Sequence, residues 1–164
     1  MFLVLGEKPS VALALAEVLG AKKREDGYLE GEGCVVSWCL GHLAEYAAPE
    51  VYDERYKKWE FADLPILPKT WELRIAKDKK EQFDVLKELL NRKDFEYVVN
   101  ACDAGREGEL IFKRVYDLSK SSLPVKRLWI SSMEEQAICN GFSNLKDGKA
   151  YERLCESAVC RAKA

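Results

Sequence analysis

Seven consecutive residues, Asp103-Ala104-Gly105-Arg106-Glu107-Gly108-Glu109, constrain this chain more than any other stretch. They hold three carboxylates, one guanidinium and two glycines, between the apolar run Tyr97-Val98-Val99-Asn100-Ala101 and Leu110-Ile111-Phe112. That order predicts a buried strand, a tight turn, and a helix whose first turn carries acids. Carboxylates crowded at a strand end repel one another unless something positive joins them. A hard divalent cation such as Mg²⁺, liganded by oxygens and water, is one remedy. The simpler alternative is an acidic helix start that complements the helix dipole.

A second segment has the same local grammar. Phe2-Leu3-Val4-Leu5 runs into Gly6-Glu7-Lys8-Pro9-Ser10, and Val11, Leu13, Leu15, Val18 and Leu19 then repeat at helical spacing. Ser10 suits an N-cap there. Glu7 and Asp103 thus fall just past the ends of two predicted strands, the edge where parallel α/β sheets bind ligands. With Glu107 added, the pattern points to a shared metal.

A chain of 164 residues can bury a full core as one domain. Hydrophobic content of 48% with 33% charged residues is that of a soluble globular protein. No apolar run is long enough to span a membrane, and no signal peptide precedes Glu7, so a cytoplasmic location is expected. The six cysteines (34, 39, 102, 139, 155 and 160) contain no CxxC pair and there is one histidine, which disfavours structural zinc. Cys34, Cys39 and Cys102 lie in or beside predicted strands and read as buried free thiols in a reducing compartment. The net charge of −2 argues against a protein that coats nucleic acid generally. It leaves room for a module that meets phosphate through a metal.

Strands are expected over 2–5, 34–39, 71–75, 97–101 and 127–130, with a short hairpin limb at 28–33. Helices are expected over 11–19, 79–90, 134–142 and 151–164. The stretch from Pro49 to Pro68 has three prolines and little periodicity, and reads as an extended surface excursion. The last predicted helix stops without glycine, proline or a cap, the pattern expected of a fragment whose final helix continues into another domain. The expected division is a domain over 1–155 and, at 156–164, the start of a helix leading out of it. Alternating strands and helices make an α/β fold with a mostly parallel sheet the favoured architecture.

The first-strand acid in Gly6-Glu7-Lys8-Pro9-Ser10, followed about a hundred residues later by Asp103 to Glu109, resembles the Toprim domain. More narrowly, the chain resembles the N-terminal Toprim domain of bacterial type IA topoisomerases of the topoisomerase III kind. Gly41-His42-Leu43, Lys57-Lys58-Trp59, Asp63-Leu64-Pro65-Ile66-Leu67-Pro68 and Leu128-Trp129-Ile130-Ser131-Ser132-Met133 agree with that subfamily. The resemblance implies a Rossmann-like sheet with helices on both faces. It also implies Mg²⁺-assisted, ATP-independent cleavage and rejoining of single-stranded DNA. The nucleophile in that family is a tyrosine in a later domain. None of Tyr28, Tyr46, Tyr52, Tyr56, Tyr97, Tyr116 or Tyr151 lies in its motif, so these residues alone should not cut DNA.

Within that frame Glu7 is placed to exchange a proton or help hold metal. Lys8 can counter the charge of a pentacoordinate phosphate. Asp103 and Glu107, with Glu7, are the expected metal ligands. Arg106 either clamps a phosphate oxygen or pairs with the acids, and Glu109 supports the turn. Many Toprim domains carry Asp-x-Asp where this chain has Gly105, and one carboxylate fewer should weaken Mg²⁺ binding. His42, Lys58 and Trp59 are DNA-contact candidates. Their plainer alternatives are a structural histidine and a tryptophan that packs the excursion against the domain. Ser131 and Ser132 read as helix caps, and Lys77, Lys79 and Lys80 as a solvated face. The competing activities are a metal-dependent Toprim nuclease or a primase-like nucleotidyl transferase, and the non-enzymatic alternative is a docking module that has lost metal.

Overall fold

In the computed structural model, which describes residues 1–164, the run Phe2 to Leu5 becomes the middle of a sheet because nothing in it needs water. β1 (Phe2–Gly6) lies between β4 (Cys34–Trp38) and β7 (Tyr97–Ala101), parallel to both. Beyond β4 the antiparallel strands β3 (Tyr28–Glu30) and β2 (Lys23–Glu25) finish one side. Beyond β7 come β8 (Val125–Arg127), parallel, and β9 (Lys146–Asp147), antiparallel. The resulting order is β2-β3-β4-β1-β7-β8-β9, an α/β sheet with a parallel centre and antiparallel edges.

Register puts Leu3 level with Val35 and Val98, and Val4 level with Val36 and Val99. Side chains alternate faces along a strand, so these two rows face opposite ways. Leu3, Leu5, Val35 and Val98 meet α2 (Lys80–Leu90) and α3 (Arg106–Ser119) through Phe83, Leu86, Ile111 and Val115. Val4, Val36 and Val99 meet α1 (Pro9–Leu19) and α4 (Glu135–Ser143) through Ala12, Leu15 and Ile138. Leu3, Leu5 and Leu15 are wholly buried, each contributing about 1.5–3 kcal/mol of burial free energy. α5 (Glu152–Lys163) packs along α3, with Cys155 and Ala158 buried.

Several local expectations shift. Helix α1 begins at Pro9 with Lys8 at the N-cap, and Ser10 makes no capping bond. Proline's fixed φ and missing N–H suit the first helical position, which moves the start ahead of Ser10. Strand β8 covers Val125–Arg127 rather than 127–130. Its ladder ends with Leu128 N donating to Asn100 O at 3.0 Å. Ser132 Oγ accepts from Glu134 N at 3.2 Å, tightening the turn before α4. Lys79 is not on a solvated face: its Nζ donates to His42 O at 3.0 Å.

The excursion springs from the two-stranded pair β5 (Ala44–Tyr46) and β6 (Leu73–Ile75). Tyr46, Tyr52 and Trp71 cluster at its base, and Tyr52 Oη accepts from Glu72 N at 2.9 Å. Three 3-10 turns carry the rest. Trp59, 78% exposed, does not pack the excursion down, and Phe61 is 93% exposed beside it. No helix is long and apolar enough to cross a membrane.

One glycine is dictated by close approach. A Cβ on Gly108 would collide with Asp103 O, so the first turn of α3 folds onto the acid loop only without a side chain there. Gly105 differs, with extended backbone and open space around it. Gly108→Ala is expected to cost about 1–3 kcal/mol through forced overpacking, and Gly105→Ala less than about 0.5 kcal/mol. Urea midpoints measure both, and equal midpoints would contradict this account.

Candidate metal and phosphate site

Because β1 and β7 are adjacent and parallel, the residues that follow them emerge side by side at one edge of the sheet. Glu7 is 8% exposed, and its Oε2 accepts from the Asp103 backbone N–H at 3.4 Å. Gly41 N donates to Glu7 O at 2.9 Å, which ties the loop after β4 to the same edge. Lys8 Nζ stands 3.8 Å from Glu7 Oε1 with its side chain 60% exposed. Arg106 opens α3 and is exposed, as are the side chains of Asp103 and Glu107.

The loop carrying Asp103 is held from below by a buried arginine. Arg127, 1% exposed, donates through Nε to Glu109 Oε1 and through Nη1 to Asn100 O, Cys102 O and Leu128 O. Its Nη2 donates to Asp103 O at 2.7 Å. Asn100 closes the network, with Nδ2 donating to Glu109 Oε2 and Oδ1 accepting from Cys102 N at 3.1 Å. Burial pushes the Glu109 carboxyl upward, and Arg127 pulls it partly back. Glu109 therefore points inward and braces the turn, while Glu107 on the same helix points out.

Glu107 has its own partner. His42 Nε2 lies 3.2 Å from Glu107 Oε2, and His42 Nδ1 lies 3.5 Å from Arg114 Nη1. A neutral ring with its proton on Nε2 satisfies both contacts. Leu40 and Gly41 precede it at φ +50 and +66. Left-handed backbone costs a non-glycine residue roughly 1–2 kcal/mol, and here it swings His42 from the end of β4 onto α3.

Glu7 and the Asp103 loop are thus brought together, whereas Glu107 is engaged with His42. No group of three His, Cys, Asp or Glu side chains is gathered about one point. The donors fit a partly hydrated ion: Mg²⁺ keeps several waters and uses one or two carboxylates plus substrate phosphate. Glu7 and Asp103 are the acids that the sheet edge brings together, while Glu107 is taken by His42. Lys58 and Trp59 lie on the excursion, and no hydrogen bond or ion pair joins either to the acid loop. Neither Cys102 nor Cys155 is a ready nucleophile. The Cys39 thiol and burial hold Cys102 well above the usual thiol range, and burial pushes Cys155 up to about 11.

Sequence reading missed Asn100, Arg114 and Arg127. A charged residue within the strand at Val125–Arg127 and the seven-residue spacing of Glu107 and Arg114 along one helix face were the available signals.

A family model described as the Toprim domain matches residues 2–133. The chain belongs to the Toprim family. Over 161 residues, 98% of its length, it is 50% identical to a protein named DNA topoisomerase 3 from Shouchella clausii. It is 49% identical over the same extent to one of that name from Bacillus licheniformis. The chain spans about a fifth (22%) of the length of these relatives. The solved structure of full-length topoisomerase I from Thermotoga maritima shares the fold, with a TM-score of 0.58 over 88% of this chain and 21% of that one, at 19% identity.

Arg127→Met would strand the Glu109 carboxylate in the interior. We expect a loss of about 3–5 kcal/mol, read as a lower urea midpoint. Lys8→Met, on an exposed side chain, should shift stability by less than about 0.5 kcal/mol. A small effect of Arg127→Met would show that the network does not hold the loop.

Proposed function

We propose that this chain is the acid- and metal-bearing module of a type IA DNA topoisomerase of the topoisomerase 3 kind. The observation that carries the reading is the meeting of Glu7 with the Asp103 loop at the ends of two adjacent parallel strands, with Lys8 beside Glu7. Half identity over nearly the whole chain to proteins of that name supports the choice among Toprim chemistries.

In this reading the nucleophile is a tyrosine outside residues 1–164. Its hydroxyl gives up a proton and its oxygen bonds to the phosphorus of a single-stranded DNA phosphodiester as the P–O3′ bond breaks. The 3′ oxygen takes up a proton, and resealing runs the same exchange backward. One ester bond replaces another, so no ATP is required. Glu7, largely buried at the strand end, is the group that passes the proton to and from the 3′ oxygen. Lys8 places an ammonium charge opposite the phosphate. Arg106, exposed at the start of α3, clamps a phosphate oxygen. Mg²⁺ held by Glu7, Asp103 and Glu107 supplies positive charge to the phosphate when bound. Residues 1–155 form the module, and 156–164 carry the chain toward the tyrosine-bearing domain. The protein is expected to work in the cytoplasm, where its DNA lies.

In the full-length protein, Mg²⁺-dependent relaxation of negatively supercoiled plasmid should be lost in Glu7→Ala. Undiminished relaxation would remove Glu7 from the chemistry, and net strand hydrolysis in place of relaxation would favour the nuclease reading. Because Gly105 supplies no carboxylate, calorimetry without DNA should find weak Mg²⁺ binding and at most one ion. Two tight sites would refute that.

Lys58 and exposed Trp59 are the proposed single-strand contact on the excursion. Trp59→Ala should weaken binding of a short oligonucleotide by about 1–3 kcal/mol if a base stacks there. Unchanged anisotropy titrations would assign the tryptophan to another surface.

A further inference from the structure

Arg114 and Arg127 are both buried arginines, at 7% and 1% exposure, yet their bonding differs sharply. Arg127 uses all three of its nitrogens on protein acceptors. Arg114 uses one. Its Nη1 donates to Ala44 O at 3.0 Å and faces His42 Nδ1, while the guanidinium lies over the Tyr46 ring at 4.8 Å. Its Nε is buried with no partner, and its Nη2 donates to no protein group. Buried guanidinium donors are seldom left so, because the lost hydration goes uncompensated.

A cavity of about 420 Å³ opens on this arginine, and Arg161, His42, Glu45 and Glu107 also line it. Arg161 comes from the last turn of α5, so the two arginines approach from different helices. Nε is sealed beneath the surface, so the donors left for a ligand are the unspent Nη2 of Arg114 and the Arg161 guanidinium, and two such groups can each take one oxygen of a single phosphate. Arg114 and Arg161 are balanced by Glu45 and Glu107, and the Glu107 carboxylate is already engaged by His42. Bulk attraction is therefore small, and selection rests on the two converging guanidinium groups. That suits a singly charged phosphodiester better than a polyanion.

The geometry points to a second phosphate subsite at Arg114 and Arg161, which holds a backbone phosphate of single-stranded nucleic acid next to the acid edge. The choice of nucleic acid over a free phosphate ion rests on the proposed topoisomerase reading. His42 is a positioning residue here, joining the Arg114 side of the cavity to Glu107.

The test is binding by the 164-residue chain with metal chelated, so neither cleavage nor Mg²⁺ enters the readout. Titration with a short oligothymidylate should move the Arg114 Nε–H resonance, and the uncharged methylphosphonate analogue should not. Arg161→Gln should weaken oligothymidylate binding roughly tenfold whatever the base sequence. It should also lower the salt slope by about 0.7, the contribution of one single-strand phosphate contact. Arg153→Gln, an exposed α5 arginine outside the cavity, should change neither. The subsite is overturned if the Arg114 resonance stays still, if the methylphosphonate moves it equally, or if Arg161→Gln leaves affinity and slope unchanged. A response to inorganic phosphate alone overturns the nucleic-acid assignment. Should Arg114→Lys unfold the protein through loss of the Ala44 bond, the wild-type resonance and Arg161→Gln still decide. Plasmid relaxation and its loss in Glu7→Ala judge the topoisomerase reading separately, so the two failures cannot be confused.

Discussion

Arg127 lies beneath the acid loop and gathers its backbone from below. Its guanidinium takes the carbonyls of Asn100, Cys102, Asp103 and Leu128 and pairs with Glu109, joining the end of β7, the following turn and the first turn of α3. Buried ion pairs are weak evidence of net stability, since desolvation offsets most of the attraction. What this one supplies is position. Four carbonyls and a carboxylate around one rigid planar group leave the loop little freedom, and Gly108 lets the helix close onto it.

A braced loop explains how exposed carboxylates persist at one sheet edge without a neutralising core. Glu7 is sheltered and takes the Asp103 amide; Asp103 and Glu107 stay in solvent, where repulsion is screened. Glu107 spends its charge on His42, which in turn meets Arg114. The acids are thus placed near one another without being drawn to a single point. Such an arrangement leaves an ion's remaining positions to water and to phosphate, in keeping with the coordination habits of Mg²⁺.

Much of the architecture was legible because period-two and period-3.6 patterns are local properties. The apolar runs at 2–5, 34–38 and 97–101 were strands, and the stripe through Phe83, Leu86 and Leu90 was a helix. Where the reading slipped, a short-range competitor prevailed. Proline displaced Ser10 as the helix signal, and Lys79 reached a carbonyl thirty-seven positions away that no periodicity reveals. Trp59 was harder still, because aromatic residues beside lysines suit packing and stacking equally; its 78% exposure removes the packing reading.

By itself the sequence determined that acids follow two apolar runs, and that a tight turn and an acid-bearing helix start come after the second. Both are matters of residue type and spacing. Tertiary structure alone decided that β1 and β7 are neighbours, which sets Glu7 against Asp103 across 96 positions of chain. It also decided which arginine is saturated and which is not. Those outcomes depend on strand order and on where a buried guanidinium finds its acceptors, and such long-range pairings are not written in any local pattern.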